Sequence, residues 1–280
     1  GDLTHGSAET LFTVGDAMMV PMNAFGIDVY TPGNWDFGYG AAVFRNRFTV
    51  IEPGNPKPPM PPNIQVMAGY IGCGDIPVIE GLTDADSGYT CKELDQASTP
   101  PFPTPEGKSV IRASFDTVAV NVYNAAPLPA PLHGQRVLPP YKILDRNGVK
   151  IAVIGLTAAI VPQQADTFNI TFRFTQGVEE LPGIIDEVKG LGAELIVVQS
   201  ELGLSQNLKI AQSFEDIDVM YSAHTHEVTH GAFLATDDEV TRTTPGKPLS
   251  NGERKQLAKG AAIVVETNRD MYVGRLDLEV

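Results

Sequence analysis

No stretch of this chain is both long enough and apolar enough to cross a bilayer as a helix, so a membrane span is not among its elements. Positive charge is also scarce, with 20 Lys and Arg against 34 Asp and Glu and a net charge of -14. A surface of that sign repels nucleic acid polymers and anionic membranes. A small anionic substrate then needs positive charge supplied locally, which bound divalent cations provide. Cysteine is nearly missing: Cys73 and Cys91 are the two present, and they form no Cys-x-x-Cys pair of the kind that marks zinc or dithiol chemistry. They read as a structural disulfide, which implies an oxidising compartment, periplasmic or extracellular; two reduced thiols in a cytosolic protein are the alternative. Internal repeats and low-complexity tracts are lacking too. With 280 residues and 42% hydrophobic content, the chain reads as one domain around one large core.

Proline is abundant but localised. Half of the 22 prolines fall between residues 49 and 112. Neither a helix interior nor a central strand accommodates that density, so the segment reads as an inserted surface loop. Both cysteines lie inside it, where a bridge would offset part of the ordering entropy of so long a loop. A second, polar insertion covers about 231–259. Outside these, Phe12–Gly26 is helix-like, and Ile27–Tyr30 is a short strand that the turn Pro32-Gly33-Asn34 ends. Val118–Tyr123, Lys150–Leu156 and Ala193–Val198 are apolar and rich in β-branched residues, as buried strands are. Helix-like Val178–Leu191 and Leu204–Phe214 alternate with them, and Pro182 fits only near the first turn of its helix. Ala261–Glu266 and Tyr272–Val280 read as closing strands.

Polar clusters follow several of the strand-like runs: Gly1-Asp2, Gly33-Asn34-Trp35-Asp36, Ser200-Glu201, and Ala223-His224-Thr225-His226 after the apolar Ile217–Ser222. Asp, Asn, Glu and His are ligands of hard to borderline divalent metals, and loops at the carboxyl ends of strands are where open α/β sheets gather their sites. Each cluster also has a plainer reading. Asp2 is a reasonable cap for a helix over Leu3–Thr10. His224 and His226 alone would pass for surface histidines, Glu201 for a loop carboxylate, Trp35 for packing and Asp36 for a turn acid.

In order, the blocks Gly1-Asp2-Leu3-Thr4-His5-Gly6, Gly33-Asn34-Trp35-Asp36-Phe37, Ser200-Glu201-Leu202-Gly203 and Ala223-His224-Thr225-His226 resemble the motif series of the calcineurin-like dinuclear metallophosphoesterases. The resemblance is to the branch that holds 5'-nucleotidases and the thiosulfohydrolase SoxB. Pro140–Ile143 with Gly148–Thr157 is similar to the family's central strand region, and Gly274–Leu278 to its last strand. This implies an α/β fold, a two-sheet sandwich flanked by helices, over residues 1–280 apart from the two insertions. It further implies two divalent metal ions, manganese first, with zinc, magnesium or calcium as alternatives.

By the same resemblance Asp2 bridges the metals, Asn34 and His224 bind the second, His226 binds the first, and Glu201 stands where the family has a His. Glutamate there shifts preference toward harder ions. Trp35 replaces the family's His and, with Asp36, occupies the place that assists the leaving group; an indole cannot transfer that proton, and SoxB is similar in having Trp-acid-Phe there. Asn121 is read as a substrate-binding residue, with His5, His133 and His230 as weaker candidates. The family's upstream Asp-x-His motif is not in these residues, so a missing amino-terminal piece is expected; its carboxyl-terminal substrate-binding domain is not in them either, and whether it was lost, cleaved or never present stays open. The implied function is hydrolysis of a phosphate monoester, most simply of a 5'-nucleotide. SoxB-like thiosulfohydrolase chemistry is the second reading, and a non-catalytic binding or structural subunit the third.

Overall fold

The computed structural model describes residues 1–4, 6–49, 111–128, 130–267 and 274–278. The strands are β1 (Val29–Tyr30), β2 (Asp116–Thr117), β3 (Val122–Asn124), β4 (Tyr141–Arg146), β5 (Val149–Leu156), β6 (Phe172–Phe174), β7 (Leu195–Ser200), β8 (Val219–Ser222), β9 (Phe233–Ala235), β10 (Val240–Arg242) and β11 (Ala262–Glu266). The helices are α1 (Ala8–Phe12), α2 (Asp16–Phe25), α3 (Gly40–Phe48), α4 (Val161–Gln164), α5 (Asp166–Asn169), α6 (Leu181–Gly190), α7 (Leu204–Ser213) and α8 (Asn251–Leu257).

A strand with no polar interruption is buried on both faces, and β7 shows how the period of two divides its residues. Ile196 and Val198 face one core with Ala152, Ile154, Met220 and Val264, covered by Leu181, Ile184 and Val188 of α6 and Ile210 of α7. Val197 and Leu195 face the opposite way, toward Val153, Val219, Val29 and Val118. The second face therefore packs on β1 and the segment after β2. Beyond that layer lies an aromatic core in which Phe37, Phe44, Phe48, Phe115 and Phe172 gather against Met19 and Tyr30. The result is the expected sandwich of sheets between helical layers.

The principal sheet has seven strands among the described residues, in the order β10-β9-β11-β8-β7-β5-β4. Pairings β5–β7, β7–β8 and β8–β11 are parallel, and β4 and β9 join antiparallel to this centre. Register aligns the carboxyl ends of the parallel strands: Leu156 lies opposite Ser200, Ser200 opposite Ser222, and Ser222 opposite Glu266. Loops leaving those ends are brought to one edge of the sheet, which is what makes a shared site possible.

Most boundaries follow the sequence reading, with instructive differences. Pro182 sits in the first turn of α6, where its missing N–H has no intrahelical partner to lose. The plainer reading of Asp2, as cap of a helix over Leu3–Thr10, does not describe α1, which starts at Ala8 with a capping box between Ser7 and Thr10. Val118–Tyr123 is not one strand, because the chain leaves β2 at Thr117 and rejoins a sheet only at Val122, in β3. The polar segment 231–259 is not all loop: β9 and β10 within it extend the principal sheet past β11, and α8 follows. Its strands leave little mark on the sequence because they are three residues long and lie at the sheet's margin. Residues 274–278 carry no strand. Cys73, Cys91, nearly all of the 49–112 insertion and His5 lie outside the described residues.

Candidate functional site

Four loops meet at the carboxyl end of the sheet. The loop after β1 carries Asn34, which is 3% exposed, and turns into a short 3-10 segment over Trp35–Phe37. The loop after β7 carries Glu201, 4% exposed, and that after β8 carries His224, whose ring is a quarter exposed. The chain at Gly1-Asp2 lies among them. Asn34 Oδ1 is 3.1 Å from His224 Nδ1, and Glu201 Oε2 is 4.0 Å from that same nitrogen. Glu201 Oε1 faces the Gly1 nitrogen at 2.9 Å, whereas the buried Oε2 has no hydrogen-bond partner. A buried carboxylate oxygen left unpaired beside an amide oxygen and an imidazole nitrogen is a donor set that could serve a cation.

Asp2 is held on this group by the Trp35 backbone N–H, which donates to its Oδ1 at 2.8 Å. Burial first, then the charges of Glu201 and Asp36, push the Asp2 carboxyl up to about 7. Three carboxylates so placed repel one another, and a divalent cation is the natural compensating charge. The backbone itself is forced here. Asp2, His224 and His226 all adopt left-handed φ values, 66°, 84° and 55°, which non-glycine residues rarely take and which persist only where surrounding contacts hold them.

Asp36 does not reach outward. It is fully buried, and five donors converge on its two oxygens: Leu3 N and Thr4 Oγ1 on Oδ1, and Asp2 N, Gly33 N and Tyr30 Oη on Oδ2. Burial and the Asp36 charge raise the Tyr30 phenol well above its usual range, so that it stays a donor. With its lone pairs engaged, Asp36 ties the Asp2 segment to the Gly33 turn. Trp35 is 41% exposed and meets the Phe168 ring edge to face at 5.8 Å.

Asn121 lies in the interior. It is completely buried; its Nδ2 donates to the carbonyls of Thr157 and Thr175, and its Oδ1 accepts from Thr157 N. Both of its polar atoms are thus engaged with the backbone. His226 and His230 are exposed, and among the described residues no hydrogen bond joins His226 to Asp2, Asn34, Glu201 or His224. His133 is exposed as well, with a ring nitrogen 2.6 Å from the Leu128 carbonyl oxygen. Among the described residues no three of His, Cys, Asp and Glu are grouped as a metal cage, so the convergent set depends on Asn34 as its third donor.

Sequence reasoning passed over Glu266, which is 2% exposed at the end of β11. Its carboxylate accepts from Ser222 Oγ, Thr225 Oγ1 and the Glu227 N–H, directly behind His224. The signal was present, since an acid closing the apolar run Ala262–Val265 repeats the pattern of the other strand ends.

No family model matches the chain. Among curated proteins it is similar to the uncharacterized metallophosphoesterase YunD of Bacillus subtilis (strain 168), 33% identical over 107 residues, covering 36% of this chain and 22% of that protein. It is also similar to the snake venom 5'-nucleotidase of Naja atra, 24% identical over 141 residues, covering 50% of this chain and 26% of that protein. Among solved structures, the sulfate thiohydrolase SoxB of Thermus thermophilus superposes with a TM-score of 0.53 at 16% identity, over 96% of this chain and 32% of that one. The chain thus spans about a fifth to a third of the length of these relatives. In sequence the chain is thus similar to metallophosphoesterases and 5'-nucleotidases, and in fold to SoxB and the calcineurin-like phosphoesterases.

Proposed function

We propose that the chain is the catalytic part of a metal-dependent hydrolase of small phosphate monoesters, nucleotides first among them. The observation that carries this is the unpartnered, buried Glu201 Oε2 facing His224 Nδ1, with Asn34 Oδ1 beside it. These three atoms would hold one divalent cation, with Asp2 adjoining, and the oxygen-rich set suits manganese or magnesium better than a soft ion. Asp2 and His226 are the motif residues left for a second. A cation bound there supplies positive charge to a phosphoryl oxygen and acidifies a water molecule.

The residues of the chain do the rest. Asp36 fixes the Asp2 segment, the β7 and β8 loops set Glu201 and His224 against Asn34, and the half-exposed Trp35 lines the approach. The indole N–H is far too weak an acid to transfer its proton, so a leaving group departs unprotonated by this residue. That property favours good leaving groups and is the observation behind the second reading, thiosulfohydrolase-like chemistry. A location outside the cytoplasm and a Cys73–Cys91 bridge belong to the same proposal, and thiol titration of the unfolded, unreduced protein tests both.

Calorimetric titration of the metal-stripped protein with Mn2+, alongside phosphate release from 5'-nucleotides and p-nitrophenyl phosphate, tests the function. Stoichiometric binding with Mn2+-dependent phosphate release is expected. Sulfate release from a thiosulfate ester without phosphate release would select the second reading, and no Mn2+ binding at all would remove the enzymatic one.

A further inference from the structure

We infer that Glu266 is the positioning residue for His224: its buried carboxylate pins the His224-Thr225-His226 loop in the left-handed backbone that turns the imidazole toward Asn34 and Glu201. The inference rests on reading His224 as a cation ligand.

Three donors use the carboxylate. Thr225 Oγ1 and the Glu227 N–H both donate to Oε1, at 3.0 and 2.9 Å, and Ser222 Oγ donates to Oε2 at 2.5 Å. The Glu266 backbone clamps the far end of the same loop, since its N–H donates to Thr229 Oγ1 and its carbonyl accepts from Thr229 N and Oγ1. The loop from Thr225 to Thr229 is therefore fastened to a single residue of the sheet. That residue is carried by β11, whose parallel register sets it opposite Ser222.

The fastening has a purpose that ordinary loop packing would not require. His224 and His226 are both left-handed, at φ 84° and 55°, in a sequence without glycine at either position. Such strain relaxes unless other contacts over-determine it, and acceptors that fix Thr225 and Glu227 hold the residues between and beside them. A carboxylate suits the task because it only accepts and can take several donors at once.

The network continues toward the other ligand loop. Asn207 of α7, fully buried, donates to Ser222 Oγ at 2.8 Å and accepts from Ser200 Oγ at 2.6 Å, next to Glu201. Thr225 Oγ1 accepts from Leu204 N, the first residue of α7. One buried polar chain thus relates the positions of Glu201 and His224.

The test compares Glu266→Ala and Glu266→Gln by two readouts. Amide hydrogen exchange of residues 224–227 in metal-free protein reads the anchoring; Mn2+ titration reads its consequence. Glutamine keeps a carbonyl oxygen for Thr225 and Glu227, so its exchange rates and Mn2+ affinity should stay near the parent's. Alanine should speed exchange in this loop and weaken Mn2+ binding by roughly 10- to 100-fold, the range for residues that orient metal ligands. Thr225→Val, at an exposed position, removes one anchor without emptying the core and should give a smaller loss in the same direction. Faster exchange in Glu266→Ala with unchanged Mn2+ affinity would overturn the positioning role while leaving the metal site standing. Equal losses in the alanine and glutamine variants would overturn it in favour of a purely electrostatic effect. If the parent itself binds no Mn2+, the ligand reading of His224 fails first and the positioning role falls with it.

Discussion

Gly33 lies so close to Asp2 that a β-carbon added to it would fall 2.2 Å from the Asp2 Oδ1 atom. Two polar loops from distant parts of the chain are in contact there, and only the absence of a side chain permits it. Gly33→Ala should therefore displace Asp2, with a loss of about 1–3 kcal/mol of stability from overpacking. Thermal unfolding and Mn2+ titration of the variant check this, and a variant with the parent's stability and affinity would show that the contact yields easily.

Asp2 gives a pH-dependent prediction. Its folded carboxyl is pushed up to about 7, well above the ordinary Asp value of 3.8, so the folded protein holds this proton through a range where the unfolded chain has lost it. The penalty is absent below the unfolded value, grows as pH rises, and is complete above the folded one. Asp2→Asn keeps an oxygen for the Trp35 N–H and removes the charge. Metal-free Asp2→Asn should be more stable than the parent at about pH 8, by up to a few kcal/mol, and nearly equal to it at about pH 4. It should also lose Mn2+ binding. Parallel melting curves at both pH values would refute the assignment.

Glu201→His replaces the unpartnered oxygen with an imidazole nitrogen. The donor set then moves from oxygen-rich toward nitrogen, and the ratio of Zn2+ to Mn2+ affinity should rise by about tenfold or more. Competition titrations measure the ratio directly. An unchanged ratio would mean that Glu201 is not a ligand.

Trp35→His introduces a group able to protonate a leaving oxygen at the exposed position beside Asn34. Esters with poor leaving groups should be hydrolysed faster, by up to roughly 10²- to 10⁴-fold, while activated esters change little. The dependence of rate on leaving-group pKa is the measurement. A uniform slowing across all substrates would make Trp35 a packing residue.

Asn121→Ala separates structure from chemistry. Three buried hydrogen bonds disappear, and unsatisfied partners at Thr157 and Thr175 should cost about 1–3 kcal/mol in stability. Mn2+ affinity and KM should stay as in the parent when measured well below the melting range; a raised KM with unaltered stability would restore Asn121 to the substrate.

What the sequence determined by itself were the properties written in short-range pattern. The β-branched runs of β5 and β7 declare strands buried on both faces, Pro182 declares the first turn of α6, and polar residues at strand ends mark the edge where a site collects. Glu201 and His224 follow neighbouring parallel strands, which deliver their ends to one side, whereas Asn34 follows β1 of a separate sheet and only its place in the motif series pointed to it. Tertiary structure alone decided which polar residues are spent on the fold. Asp36 and Asn121 look like chemistry in a linear reading, yet each is buried with its lone pairs or N–H groups already engaged by donors and acceptors up to 54 residues away. Glu266 looks like nothing in particular, yet sheet register sets it opposite Ser222 and beneath the histidine loop. Hydrogen-bond satisfaction is a property of three-dimensional neighbours, and no local pattern carries it.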